Sequence, residues 1–478
     1  MTEHSLKRKS AIAIAWNFFD KVGSQLILIV IGLVVTRILS QKEYGLIGLL
    51  GIFIALSSAL IDSGFVSALI RKKDASELDY NTVFYFNIGV SSFLYAVLFC
   101  CAPLIANFYN QPQLVILARV VFLSLIINSL GLVQGAQMTK NVRFKQLSVI
   151  NLTSLLLSSI LSLIFAVKGL GVWALVVQSV GNAAFRVSLL WVVSKWRPSR
   201  LFSFEALKAQ LKYGMEMSAA SLLTNLFQFL YGQLIGRFFP LTVMGNYTQA
   251  SKYSDMPTSI LSTTLSNSMF PIYSQIKDDP ERLKRAFQKT IRLTSFLAFP
   301  LLFGLAIVGP GVLELLISKK WEGAFVYFQL LCLAGIPTIF INSNQYFVVI
   351  KDRVTEFVYI ELVKIVILII VFFSTVHYGI MASICGLVIM RYLIYILNVF
   401  ILGNKAKYKW YEQWRDMAPY VLLSLVMVGI MYGLKFVIAQ KLLLLVVQIF
   451  TGAAFYLGIN KILKSKILDD VIALVLRK

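Results

Sequence analysis

Apolar residues along this chain gather into long runs, and charged residues concentrate in the short gaps between them. The runs occupy 11–35, 44–70, 82–106, 114–138, 147–167, 171–194, 213–236, 243–270, 290–310, 324–350, 357–375, 379–402, 417–437 and 442–463. About 20 helical residues at ~1.5 Å rise cover the ~30 Å hydrocarbon core of a bilayer. The pattern therefore predicts an all-α, polytopic integral membrane protein with about 14 transmembrane helices. No gap exceeds about twenty residues, which is too short for an independent soluble domain.

Two gaps carry a helical pattern of their own. In the first, Phe204, Leu207 and Leu211 fall at helical spacing, with Lys208 and Lys212 on another face. In the second, Asp279-Pro280 starts a helix that continues through Leu283 and Phe287. Each reads either as a short amphipathic helix on the cytoplasmic surface or as an extension of the next span.

Composition fixes the class. The 478 residues are 58% hydrophobic and 14% charged, against about 25% charged in a soluble globular domain. A net charge of +23 would suit nucleic acid only if it formed a basic face on a soluble domain. Here the basic residues alternate with the spans instead. With the N-terminus inside, inner segments and the run ends adjoining them hold 31 of the 45 Lys and Arg, outer ones hold 8, and 6 lie deeper within runs. Short cytoplasmic loops are enriched in such residues, so both ends are expected in the cytoplasm. Lys7, Arg8 and Lys9 before an apolar run imitate a signal peptide, but Asn17, Asp20 and Lys21 interrupt it and no small-residue cleavage site follows. It is read as a retained first helix. Cys100, Cys101, Cys332 and Cys385 lie inside apolar runs, and His4 and His377 are far apart. Neither set predicts a disulfide framework or a metal site, and no cofactor is expected.

The sequence also repeats itself weakly at an offset of 200. Leu26, Gly32, Arg37 and Gly45 are spaced as Leu226, Gly232, Arg237 and Gly245 are. Six helices per copy leave both copies in the same orientation. That predicts bundles at 1–200 and 201–404 related by an axis along the membrane normal, with a site between them, and two added helices at 405–478.

Ionisable groups at membrane depth are costly and mark interior faces. Asp20 and Lys21 lie in the first run, Lys252 and Asp255 in the eighth, and Glu361 and Lys364 in the eleventh. The last two pairs have i,i+3 spacing and can neutralise themselves. Arg119, Arg186 and Arg391 have no acid within a helical turn. Each must find an acid on another helix, a carbonyl, water or an anionic ligand; Arg119, near a helix end, has the further option of snorkelling outward. Six interior bases face five acids (Asp20, Asp62, Glu216, Asp255 and Glu361), so placement rather than count suggests a cationic cavity suited to a phosphate-bearing substrate.

The stretches Gly169-Leu-Gly-Val-Trp173-Ala-Leu, Trp196-Arg-Pro-Ser-Arg-Leu-Phe-Ser-Phe204, Gly245-Asn-Tyr247 with Met256-Pro257, Phe270-Pro271 and Trp321-Glu-Gly-Ala324 resemble the polysaccharide transporter family. That family lies within the multidrug/oligosaccharidyl-lipid/polysaccharide flippase superfamily, and the nearest branch looks like the Wzx-type and colanic-acid-exporter-like proteins. The resemblance runs in order along essentially the whole chain. It implies a V-shaped two-bundle transporter of a bacterial inner membrane. Such a protein flips an undecaprenyl-pyrophosphate-linked oligosaccharide for O antigen, capsule or exopolysaccharide by alternating access, alongside polysaccharide assembly machinery. In fourteen-helix members the last pair helps form a groove for the lipid tail. Family members also place charged residues of helices one and eight toward the cavity, which Asp20, Lys21, Lys252 and Asp255 match.

The resulting expectation is a substrate set of Lys21, Arg186, Lys252, Arg391 and Arg119. Asp20, Asp62, Asp255 and Glu361 are candidates for coupling to H⁺ or Na⁺. A drug/cation antiporter of the same superfamily is the nearest rival. A glycosyltransferase or polymerase would need a loop or domain that these short gaps lack, so no enzyme is expected.

Overall fold

In lipid every backbone N–H and C=O must find its partner within the chain, which leaves helices as the natural form of isolated apolar runs. The computed structural model describes residues 3–62, 66, 69–70, 72, 75–276, 278–350, 354–405 and 408–469, and among these no strand occurs. The first helices are α1 (Glu3–Ile38), α2 (Gln41–Asp62), α3 (Glu77–Phe108), α4 (Leu114–Ser129), α5 (Leu132–Lys140), α6 (Phe144–Val167) and α7 (Trp173–Val193). Then come α8 (Phe204–Phe238), α9 (Leu241–Gln275), α10 (Pro280–Ile317) and α11 (Glu322–Ile350). The chain ends with α12 (Val354–Thr375), α13 (Ile380–Lys405), α14 (Trp410–Gly433) and α15 (Lys441–Ile462).

Among the described residues eleven helices are long and apolar enough to cross a membrane, or twelve if α4 and α5 count as one span bent by 43°. The expected fourteen also includes α8 and α9, which fall short in apolarity. In α9 the reason is plain: twelve of its 35 residues are serine or threonine. The bend between α4 and α5 is supported by the Trp191 indole of α7, which donates to the Leu130 carbonyl at 2.9 Å. Of the two readings for the amphipathic gaps, extension is the one found: residues 204–212 begin α8 and residues 280–289 begin α10.

The chain divides into two compact units, Met1–Gly245 and Asn246–Lys478. In the first, α6 packs on α1 and α7, α4 on α3 and α7, and α8 on α2. Two glycines permit a close approach of backbone to backbone. A Cβ on Gly45 would lie 2.5 Å from the Leu241 carbonyl oxygen, and one on Gly245 would fall still closer to the carbonyl of Gln41. These reciprocal contacts carry the 200-residue offset of the sequence repeat. Tyr109 adds a hydrogen bond to Gln233 at 2.7 Å, and Gln233 donates to the Gly48 carbonyl at 3.2 Å. Gly245→Ala is expected to destabilise the protein by about 1–3 kcal/mol, the usual cost of overpacking. Gly89→Ala, where an added Cβ meets nothing within 4 Å, should be neutral or stabilising. Thermal unfolding of the purified protein in detergent compares the two, and equal melting temperatures would contradict the close crossing.

The connection from α7 to α8 is strapped to α3. Trp196 packs among Tyr80, Val83, Phe84 and Leu207, and its indole donates to Glu77 at 2.8 Å. The Ser199 amide donates to Asn81 at 2.6 Å and that of Ser203 to Thr82 at 3.1 Å. Arg197 closes the strap by donating to the carbonyls of Trp191, Ser194 and Trp196.

In the second unit α11 packs on α10 and α13, and α12 on α13. The last two helices lie against α10. Lys284–Glu412 (3.0 Å) and Arg292–Asp416 (2.7 Å) fasten one end, and Lys441–Glu314 (2.7 Å) the other. Between them Tyr456 donates to the Phe296 carbonyl at 3.0 Å.

Candidate functional site

A polar stripe runs down α6 in an otherwise apolar helix: Ser148, Asn151, Ser154 and Ser158 are spaced by three, three and four residues. That spacing keeps them on one face. The stripe meets α1, where Ser148 donates to the Trp16 carbonyl at 3.0 Å. One turn on, Asn151 donates to an Asp20 carboxylate oxygen at 2.9 Å. The carboxamide oxygen of the same Asn151 accepts from Arg186 Nε of α7 at 3.0 Å. A single carboxamide thus bridges Asp20 and Arg186, two of the residues singled out by charge. Ser24 also donates to Asp20, at 3.4 Å.

Among the described residues Arg186 forms no ion pair; its partner is neutral, and its charge is not cancelled by direct contact. Lys21, the next residue along α1, is exposed. The apolar part of α1 begins at Phe19, which puts Asp20 and Lys21 at the edge of that stretch. Arg119 stands apart from this group. Its guanidinium lies 4.2 Å from the Phe99 ring centroid, and its Nε is buried with no hydrogen-bond partner. The side chain of Asp62 lies outside the described residues.

The second unit holds the other predicted residues. Arg391 on α13 donates to Thr338 Oγ1 at 3.2 Å and to the Ala334 carbonyl at 3.4 Å, both on α11. Its Nε is buried without a hydrogen-bond partner. As with Arg186, the partners in hand are neutral. Glu361 and Lys364 form a buried ion pair at 2.7 Å, with side chains 1% and 8% exposed. The i,i+3 spacing thus pairs this couple as expected. It does not pair Lys252 with Asp255: Asp255 accepts instead from Ser251 at 2.8 Å, and Lys252 is exposed. Arg391 is near enough to Lys364 and Tyr247 to act on both electrostatically, and Asp255 acts on Tyr247 as well.

The structure therefore joins Asp20 with Arg186, pairs Glu361 with Lys364, and sets Arg391 within electrostatic reach of both Lys364 and Tyr247. Reading charges alone misses Asn151, Thr338 and Ser251, because neutral partners raise no alarm in a charge count. The serine-asparagine stripe of α6 was a visible signal for the first. Chemically, both arginines present what a phosphate ester recognises, a planar donor fork whose charge is still available. Among the described residues no group of three or more His, Cys, Asp or Glu is placed to hold a metal.

Comparison with known proteins bears on the same architecture. The chain is 26% identical over 342 residues to lipopolysaccharide biosynthesis protein WzxC of Escherichia coli, covering 70% of this chain and 68% of that protein. It is 24% identical over 327 residues to succinoglycan biosynthesis transport protein ExoT of Rhizobium meliloti, covering 68% and 66%. Its fold is that of the lipid II flippase MurJ in an inward closed conformation, with a TM-score of 0.72 at 16% identity over 98% of this chain and all of the other. The family described as polysaccharide biosynthesis protein matches residues 34–326, more than half of the chain, and this chain is a member of that family.

Proposed function

We propose that this protein is a flippase that carries an undecaprenyl-pyrophosphate-linked oligosaccharide from the inner to the outer leaflet of a bacterial cytoplasmic membrane by alternating access. Two six-helix bundles with an added C-terminal pair form the transporter in this reading. The observation that carries it is the state of Arg186 and Arg391. Each sits in a membrane-type helix with only neutral hydrogen-bond partners among the described residues, so each offers its charge to an anion. A pyrophosphate moved through hydrocarbon faces the same desolvation cost with opposite sign, and pairing relieves both. The names of WzxC, a lipopolysaccharide biosynthesis protein, and ExoT, a succinoglycan biosynthesis transport protein, agree in their glycan setting. A drug or cation antiporter would want acids without attached donors. Here Asp20, Asp255 and Glu361 are occupied by Asn151, Ser251 and Lys364.

Deletion of the gene is expected to halt surface glycan and leave lipid-linked oligosaccharide on the inner leaflet. Unchanged glycan together with a loss of drug resistance would turn the reading to the antiporter. Orientation is tested separately. With the four native cysteines replaced by serine, Glu281→Cys is expected to resist a membrane-impermeant maleimide in intact cells and to react in inverted vesicles. Labelling in intact cells would reverse the topology.

A further inference from the structure

We infer that the strap between α7 and α8 anchors its unit in the lipid headgroup layer, with Leu201, Phe202 and Phe204 inserted among anionic phospholipids. These three side chains are left uncovered by the fold, at 47%, 43% and 77% exposed. Phe202 and Phe204 meet edge to face, with ring centroids 5.0 Å apart, and so form one apolar knob. An uncovered apolar patch outside the spans marks a surface that meets a partner. Its surroundings are basic. Lys195, Arg197, Arg200 and Lys208 are exposed beside it, and Glu205 is the one acid between 194 and 208. None of the four bases forms an ion pair among the described residues. Apolar side chains set among uncancelled bases suit the interface of an anionic bilayer.

The level of the strap points to the same partner. Helix α7 has 21 residues, or ~31 Å, just enough to cross the ~30 Å hydrocarbon core. Its end at Val193 therefore falls at the edge of the core, and the strap begins directly outside it. Contacts with α3 hold the strap at that level. Near its start, Trp196 packs edge to face on Phe84 with centroids 5.5 Å apart. At its end, Ser203 is bonded to Thr82. Thr82 and Phe84 are two positions apart, or ~3 Å along the helix, against a headgroup layer of ~5–8 Å. The chain thus runs flat along the membrane surface instead of rising into water. Because Ser199 and Ser203 both give their amides to α3, residues 200–202 bulge between two fixed points.

The anchor is independent of the export reading, and its test uses no oligosaccharide. Full-length protein with its four native cysteines replaced by serine carries Leu201→Cys, labelled with a nitrobenzoxadiazole fluorophore, in phosphatidylcholine nanodiscs. Phosphatidylglycerol or phosphatidylcholine bearing a nitroxide near the headgroup is included at equal mole fraction. The fluorophore is expected to be quenched by both lipids and shielded from iodide in the buffer. Quenching by the phosphatidylglycerol should be about fivefold stronger, the enrichment that a single base near the surface supports. Lys195→Gln, Arg200→Gln and Lys208→Gln together should keep the quenching and lose the preference between lipids; Arg197, whose hydrogen bonds shape the strap, is left in place. The reporter in the otherwise native strap answers the question even if this triple variant fails to fold. Quenching by iodide and not by lipid would put the bulge in water, as a soluble partner's docking surface requires, and would overturn the anchor. Equal quenching by the two lipids, or a preference that survives the triple variant, would overturn the anionic assignment.

Discussion

Replacing Arg186 with glutamine is expected to cut export of lipid-linked oligosaccharide about 10- to 100-fold while the protein remains in the membrane. The figure follows from the bond that is lost: a hydrogen bond to a charged group contributes about 1.5–3 kcal/mol, and every ~1.4 kcal/mol is tenfold. Glutamine keeps an N–H for Asn151, which now binds Arg186 at 3.0 Å, so the contact with α6 has a substitute and only the charge disappears. Arg186→Lys should retain part of the activity, since a point charge still attracts phosphate without the fork geometry. Arg391→Gln is expected to act in the same way, with Thr338 keeping a donor. The measurements are surface glycan and the lipid-linked precursor on the inner leaflet. Normal export in both glutamine variants would remove these arginines from substrate binding. Disappearance of the protein from the membrane would make their role structural.

The second large effect is expected at Glu361. Glu361→Ala leaves Lys364 buried without the carboxylate that now meets it at 2.7 Å. Removing one member of a buried pair costs about 3–5 kcal/mol, because the remaining charge is uncompensated, whereas replacing both with apolar groups is often neutral or stabilising. Glu361→Ala is therefore expected to reduce folded protein sharply, and Glu361→Leu with Lys364→Met to restore it. Detergent-solubilised melting measures the stability. Export by the folded double variant then decides the role of the carboxylate: full export assigns the pair to structure, and lost export assigns Glu361 to coupling. A single variant as stable as wild type would contradict the buried pairing.

Much of the fold was legible because bilayer thickness imposes a length and lipid imposes helices. The runs and gaps accordingly mark most helix positions directly. Hydropathy is weakest at α8 and α9, where serine, threonine and charge crowd the helices. The break at Leu130 was hidden too, since it depends on an indole from Trp191, sixty-one residues away. At the candidate site, the charges were visible because charge is rare in apolar runs. Their partners were not. Nothing local to Arg186 points to Asn151, thirty-five residues earlier; only the packing of α6 on α7 makes them neighbours. The offset-200 glycines were visible too, but their spacing pointed to a duplication and not to the close approach of Gly45 to Leu241 and of Gly245 to Gln41.

The strap that binds residues 196–203 to α3 has a mechanical consequence for α8. At one end, the helix begins immediately after Ser203, whose amide is tied to Thr82. At the other, it runs into the crossing where Gly45 and Gly245 bring Leu241 and Gln41 into close approach. A rod of 35 residues, ~52 Å long, is thus clamped at both ends like a beam between two supports. It has no free pivot about which to swing. Any movement of α8 relative to its unit must take the form of bowing along its length.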